Sequence, residues 1–236
     1  MSRLRFLSVA LLALVLMASG ALKATAQQAT PVAQGATPTP PTISATDADS
    51  VVAWGQWLLS FPTEINPGAD ATGIACGLGQ HGSTFFLAPV SGDSESMSRS
   101  CTIVQGTSVV VPVIAVDCST AEADPFHGDD AESLASCAQA NGDNITGGYA
   151  LIDGTDVDDL TTFRLQSTVF SVVLPEGNVL AAPAGAASMV VDGVFLTLED
   201  LAPGEHTIAF GGTYQNGGTL DVTYTITVVA APVAAS

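Results

Sequence analysis

The densest group of chemistry-bearing side chains is Asp153-Gly154-Thr155-Asp156-Val157-Asp158-Asp159, four carboxylates within seven residues. Calcium takes about six to eight oxygen ligands, and a turn rich in Asp and Gly can present several at once. Asp153, Asp156, Asp158 and Asp159 are therefore the candidate calcium ligands. No glutamate follows at the position an EF-hand requires, so any such site is of another kind. A second acidic group, Asp124-Pro125-Phe126-His127-Gly128-Asp129-Asp130-Ala131-Glu132, sets an imidazole among four acids. Free N–H groups and the helix dipole draw acids to helix N-termini. Asp129, Asp130 and Glu132 are accordingly expected to open a helix rather than to hold a metal.

The three histidines, His81, His127 and His206, show neither H-E-x-x-H nor H-x-H spacing, so only the fold could bring them to one zinc ion. His206 falls in phase with Ile208 and Phe210 and reads as a packed strand residue. His81 and Ser83 lie two apart in Gly79-Gln80-His81-Gly82-Ser83, but no G-x-S-x-G elbow accompanies them, and a polar turn is expected. Paired carboxylates for hydrolysis carry no information in a chain with 23 acids. Trp54 and Trp57 are expected in the core, and Arg99 and Arg164 in pairs with carboxylates.

Cys76, Cys101, Cys118 and Cys137 are the only cysteines. Without a C-x-x-C pair they do not suggest a metal site. An even number in an exported chain reads as two disulfides. Of the three connectivities the sequential one is favoured, Cys76 to Cys101 and Cys118 to Cys137, each closing a short loop.

Export itself is read from residues 1–26. Arg3 and Arg5 precede an apolar run from Phe6 to Met17, and Ala24-Thr25-Ala26 supplies an A-x-A cleavage site. The expected mature chain begins near Gln27, outside the cytoplasm or within the envelope. It would keep only Arg99 and Arg164 against 23 carboxylates and no lysine. Such a field repels phosphate backbones and anionic lipid, which excludes nucleic acid and membrane surfaces as partners. The missing lysine also excludes Schiff-base chemistry and P-loop nucleotide binding.

The elements that must position these groups are mostly strands. Residues 27–45 hold prolines and no charge, and read as a disordered linker before one domain over 46–236. A helix is predicted over 47–60, N-capped by the hydroxyl of Thr46, and a second over 129–140. Residues 219–229 alternate apolar and polar side chains, as a half-buried strand does. Similar runs occupy 83–90, 99–105, 108–117, 145–153, 163–174, 188–198 and 205–213. Pro112, inside SVVVPVIAV, marks an edge or a bulge. The expected fold is mainly β, an antiparallel sandwich of jelly-roll or immunoglobulin-like connectivity with two short helices.

Two stretches carry a resemblance. Leu201-Ala-Pro-Gly-Glu-His-Thr-Ile-Ala-Phe210 and Leu220-Asp-Val-Thr-Tyr-Thr-Ile-Thr-Val228 look like the last strands of exported bacterial immunoglobulin-like modules. With the Trp-bearing first helix, Cys76-Gly-Leu-Gly-Gln80, Phe85-Phe-Leu87, Arg99-Ser-Cys101 and Phe170-Ser-Val-Val-Leu-Pro175, the chain resembles secreted bacterial proteins without an assigned activity. The resemblance implies location and fold and carries over no catalytic residue. The expected function is a non-catalytic binding, adhesion or surface-structural module for an extracellular ligand, with calcium as its candidate cofactor. The alternative is an extracellular hydrolase whose acids converge from distant strands.

Overall fold

The computed structural model describes residues 40–90 and 96–232; the stretch read as a leader and most of that read as a linker lie outside the described residues. The alternation in β11 (Thr219–Val229) is used as the pattern requires: Val222, Tyr224, Ile226 and Val228 are buried, while Thr219, Asp221 and Thr227 face outward. β11 pairs on one side with β10 (Gly204–Tyr214) and on the other with β3 (Met97–Val104). Beyond β10 come β5 (Ile145–Ile152) and the short β6 (Thr155–Asp156), giving a five-stranded sheet in the order β3-β11-β10-β5-β6.

The second sheet is organised on one long strand, β9 (Gly185–Glu199). One edge of β9 takes β4 (Ser108–Ser119), which in turn carries β2 (Thr84–Phe86). The other edge is shared by three short strands: β8 (Phe170–Leu174), β7 (Arg164–Gln166) and β1 (Thr42–Ala45). The single run expected over 163–174 thus divides into two. Ser167, between them, still holds β9, donating its N–H to the Val191 carbonyl at 2.8 Å and accepting the Val191 N–H on its Oγ at 3.0 Å.

Val109, Val111 and Val113 of β4 meet Ile208, Phe210, Val222, Tyr224 and Ile226 of the other sheet in one core. Val110, on the opposite face of β4, joins Phe195, Met189, Phe170 and the helix α1 (Ala48–Leu59) in a second core. Burial on both faces explains why β4 reads as a continuous apolar run instead of an alternation. Trp54 and Trp57 of α1 are buried as expected, donating their indole N–H groups to the carbonyls of Leu87 and Leu78 at 2.9 and 2.8 Å.

Several expectations need correction. The sheets are mixed rather than antiparallel, because β2 runs parallel to β4 and β3 parallel to β11. Neither pair is joined by a hairpin, so no tight turn imposes the antiparallel sense. Thr42–Ala45, inside the stretch read as linker, form a strand; pairing with β9 satisfies backbone groups that composition alone leaves to solvent. The N-cap of α1 is Asp47, whose carboxylate accepts the Ser50 N–H at 2.8 Å, while the Thr46 hydroxyl is spent on Thr197. Pro112 does mark an irregularity, since the register of β4 against β9 shifts between Pro112 and Ile114. Pro112 lies past the end of the β2 pairing, where its missing N–H costs no ladder bond on that side.

Candidate binding cleft

The β9 sheet delivers Ala115, Val116 and Asp117 at the end of β4, and several contacts then fix that end. Cys118 is fully buried and joined to Cys137 of α2 (Ala131–Gly142), with Leu134, Ala138 and Val190 packed around it. α2 opens on Asp130, which forms a reciprocal capping box with Ser133, and Glu132 falls in its first turn as expected, whereas Asp129 Oδ1 lies 3.1 Å from His127 Nε2. Asn141, in the last turn of α2, donates from Nδ2 to the carbonyls of Pro125 and Cys137 at 3.0 and 3.1 Å. The loop between β4 and α2 is held to the strand by Ser119, whose N–H donates to the Phe126 carbonyl at 3.0 Å.

Ser119 also turns the chain so that Glu122 comes back toward Asp117. Its Oγ accepts the Glu122 N–H at 3.2 Å and donates to Glu122 Oε2 at 2.8 Å. His127 Nδ1 lies 2.9 Å from the Glu122 carbonyl and fixes the same turn from its other end. From the five-stranded sheet Tyr214, at the end of β10, reaches across, its hydroxyl donating to the Ala115 carbonyl at 3.2 Å. These groups surround a cleft of about 600 Å³ lined by Asp117, Glu122, Phe126, Asn141, Asn144 and Tyr214 among others. Beside it lies a space of about 210 Å³ lined by side chains that include Trp54, Leu58, Leu59, Val179 and Leu180, together with Asp117 and Tyr214. The two spaces share Ala115, Val116, Asp117 and Tyr214.

The electrostatics of the cleft are those of two acids kept from water. Burial pushes the Asp117 carboxyl up, opposed by its hydrogen bond with Glu122. Burial, followed by the charge of Asp117, pushes the Glu122 carboxyl up further. Two carboxyls in contact cannot both ionise cheaply, so between their two titrations the pair holds one proton. Oδ2 of Asp117 is completely buried and accepts no hydrogen bond from an N–H or hydroxyl group. Among the described residues no Lys, Arg or His lines the cleft.

The carboxylates singled out from sequence go elsewhere. Asp153 uses Oδ2 on His206 Nδ1, at 2.7 Å, and Oδ1 on the Thr207 N–H, at 2.8 Å. Asp159 precedes a short 3₁₀ turn and accepts the Thr161 hydroxyl at 2.8 Å. Asp156 belongs to β6, and Asp158 makes no recorded side-chain bond. Among the described residues no three His, Cys, Asp or Glu side chains gather as a metal site would require. His206 is buried, in keeping with its strand phase, and His81 sits in an exposed turn, its Nδ1 2.7 Å from the Gly79 carbonyl.

Cys76 pairs with Cys101 and Cys118 with Cys137, the favoured connectivity. Arg164 pairs with Asp143 and Asp192 at 2.8 and 2.7 Å. Arg99 departs from expectation: buried, it donates to the carbonyls of Gly68, Asp70, Ala88 and Pro89 and to the Tyr224 hydroxyl instead of to a carboxylate. Asp117 and Glu122 were not singled out by sequence. The one available signal was an acid continuing directly from the apolar run of β4. No family model matches this chain, and no curated protein or solved structure matches it either.

Proposed function

We propose that the protein is an exported β-sandwich that captures a small extracellular molecule in the cleft at the end of β4. The observation that carries this reading is a cleft holding a buried acid pair that shares wall residues with a second space lined mainly by apolar side chains. Small-molecule sites have that composition, a largely apolar wall with a few converging polar groups. The two disulfides are compatible with an oxidising location. The leader over residues 1–26 and the resemblance to secreted bacterial proteins support the same location. An immunoglobulin-like or jelly-roll connectivity belongs to this proposal and not to the observed pairing. Calcium has no assembled site among the described residues and plays no part in it.

A second reading has one observation in its favour: a carboxyl pair sharing a proton can act as both acid and base, as in aspartic proteases. Against it, hydrogen-bonded carboxyls stand closer than the roughly 5–9.5 Å that either glycosidase mechanism needs. Among the described residues no Ser, Thr, Cys or Lys lines the cleft beside them to serve as a nucleophile. Binding without turnover is therefore the reading adopted.

The test uses the oxidised full chain and a neutral solvatochromic dye such as Nile red. Emission should rise and shift to the blue on binding, and Leu180→Trp, which fills the second space, should abolish most of the change. Equal emission from the filled variant would overturn the assignment of the cleft. N-terminal sequencing of exported material should begin near Gln27; a chain retaining Met1 would remove the export part of the reading.

A further inference from the structure

The polar side chains grouped around the acid pair have a common bias. Asn141 commits its amide hydrogens to the Pro125 and Cys137 carbonyls, which leaves its Oδ1 as an acceptor. Tyr214 commits its hydroxyl hydrogen to the Ala115 carbonyl and keeps its lone pairs. Ser119 gives its hydrogen to Glu122. Oδ2 of Asp117 is buried and accepts from no N–H or hydroxyl. Around the acid pair the cleft thus offers acceptors and negative charge, while Asn144 and Asn216 of the same lining keep amide hydrogens. Phe126, partly exposed, and Tyr214 add ring faces that attract a cation.

We propose that the ligand is an amphipathic ammonium, its head against the Asp117–Glu122 pair and its apolar body toward the side chains of Trp54, Leu58, Leu59 and Leu180. This rests on the reading of the cleft as a binding site and adds the ligand's chemical class. An ammonium brings three donors and no acceptor, the complement of this lining. A divalent cation is a poorer fit, because two carboxyls provide too few oxygens and no third ligating side chain joins them among the described residues. A carboxylate or phosphate would meet like charge with no cation to offset it.

Capture of the head group favours the ionised form of both acids, so the proton held by the pair must leave. The titratable groups packed around the pair are Tyr214 on β10 and, on the β4–α2 loop, His127 with Asp124 and Asp129 beside it. Burial and the charge of Asp117 push the Tyr214 hydroxyl up to about 12, so it stays protonated throughout the range tested. Affinity should therefore rise with pH as Glu122 gives up its proton, while the amine itself stays charged until about pH 10.

Three probes of equal length separate the possibilities: hexylammonium, 1-hexanol and hexanoate, each titrated by NMR against the oxidised full chain. Hexylammonium should bind at least tenfold more tightly than hexanol, and hexanoate more weakly than either. Calorimetry in two buffers of different ionisation enthalpy should report proton release on amine binding. In Asp117→Asn the preference for amine over alcohol should collapse to less than about threefold. In Glu122→Gln the preference should no longer strengthen with pH and the proton release should vanish. Unchanged near-UV circular dichroism shows that each variant has folded. Equal binding of amine and alcohol, or a preference that survives Asp117→Asn, overturns the ammonium proposal and leaves the cleft reading standing. Failure of all three probes together with the dye overturns both.

Discussion

Nδ1 of His206 lies 2.7 Å from Oδ2 of Asp153, and Nε2 of the same ring lies 2.9 Å from the carbonyl of Ala202. Both nitrogens face acceptors, an arrangement that only the doubly protonated ring satisfies fully. Burial of the ring opposes its charge, but the Asp153 and Ala202 hydrogen bonds outweigh that cost and the pKa is raised. A titration of the His206 ring by NMR should give a midpoint above about 6.5, and Asp153→Asn should lower it. Because the folded value is raised, the stabilisation is complete below the unfolded value and disappears as pH rises through the folded one. A wild-type midpoint at or below about 6.5 would contradict this account.

The acid pair makes a second pH dependence of the same sign. A carboxyl whose folded pKa is raised stabilises the protein while protonated, and loses that contribution as pH rises through the folded value. Asp117 is pushed up to about 6 and Glu122 to about 8, so the pair titrates across that window. The melting temperature should fall by several degrees between pH 5 and pH 8.5, and Glu122→Gln should flatten the upper part of the fall. Since His206 titrates in part of this range, the difference between wild type and Glu122→Gln is the quantity to follow. Parallel curves for the two proteins would show that Glu122 is not the group responsible.

Replacing Cys118 and Cys137 together by alanine removes a bridge with a sequence separation of 19. By loop entropy the loss is about 3 kcal/mol. For a domain of this size that lowers the melting temperature by roughly 6–12 °C. Dye binding in the cleft should weaken more than it does in the Cys76/Cys101 double variant, whose bridge holds β3 and lines neither the cleft nor the space beside it. Equal effects of the two double variants on dye binding would argue against an anchoring role for the Cys118 bridge.

Arg99 is only 2 % exposed and ties the loop residues Gly68, Asp70, Ala88 and Pro89 to β11 through Tyr224. Arg99→Met keeps the aliphatic bulk and strands those carbonyls without a donor, at a cost of about 3 kcal/mol or more. Arg99→Lys should recover only part of that loss, because an ammonium cannot span acceptors spread around a planar guanidinium. Denaturant midpoints of the two variants measure the difference, and a neutral Arg99→Met would refute the assignment.

Strand and helix positions were legible wherever one face is buried, because β11 and β3 alternate and α1 carries its apolar residues on one side. The parallel pairings were not, since the direction of β3 beside β11 is decided by residues more than a hundred positions apart. Local composition also misassigned Thr42–Ala45, whose strand exists only because β9 is long enough to offer it an edge. The cysteine pairs were readable from spacing. The acid pair was hidden by abundance: among 23 carboxylates nothing local marks Asp117 and Glu122 as neighbours, and the Ser119 turn that brings them together has no signature of its own. The Asp153 cluster drew notice through density, yet its first carboxylate is spent on a histidine 53 positions away.

Cys118 stands between Asp117 and Ser119, the residue that forms the cleft and the residue that aims Glu122 into it. Closing the Cys118–Cys137 bridge therefore fastens the strand end that carries the cleft acids. Where thiols stay reduced, the acids lack that anchor. On the proposed binding function, the reduced chain should bind more weakly than the oxidised one.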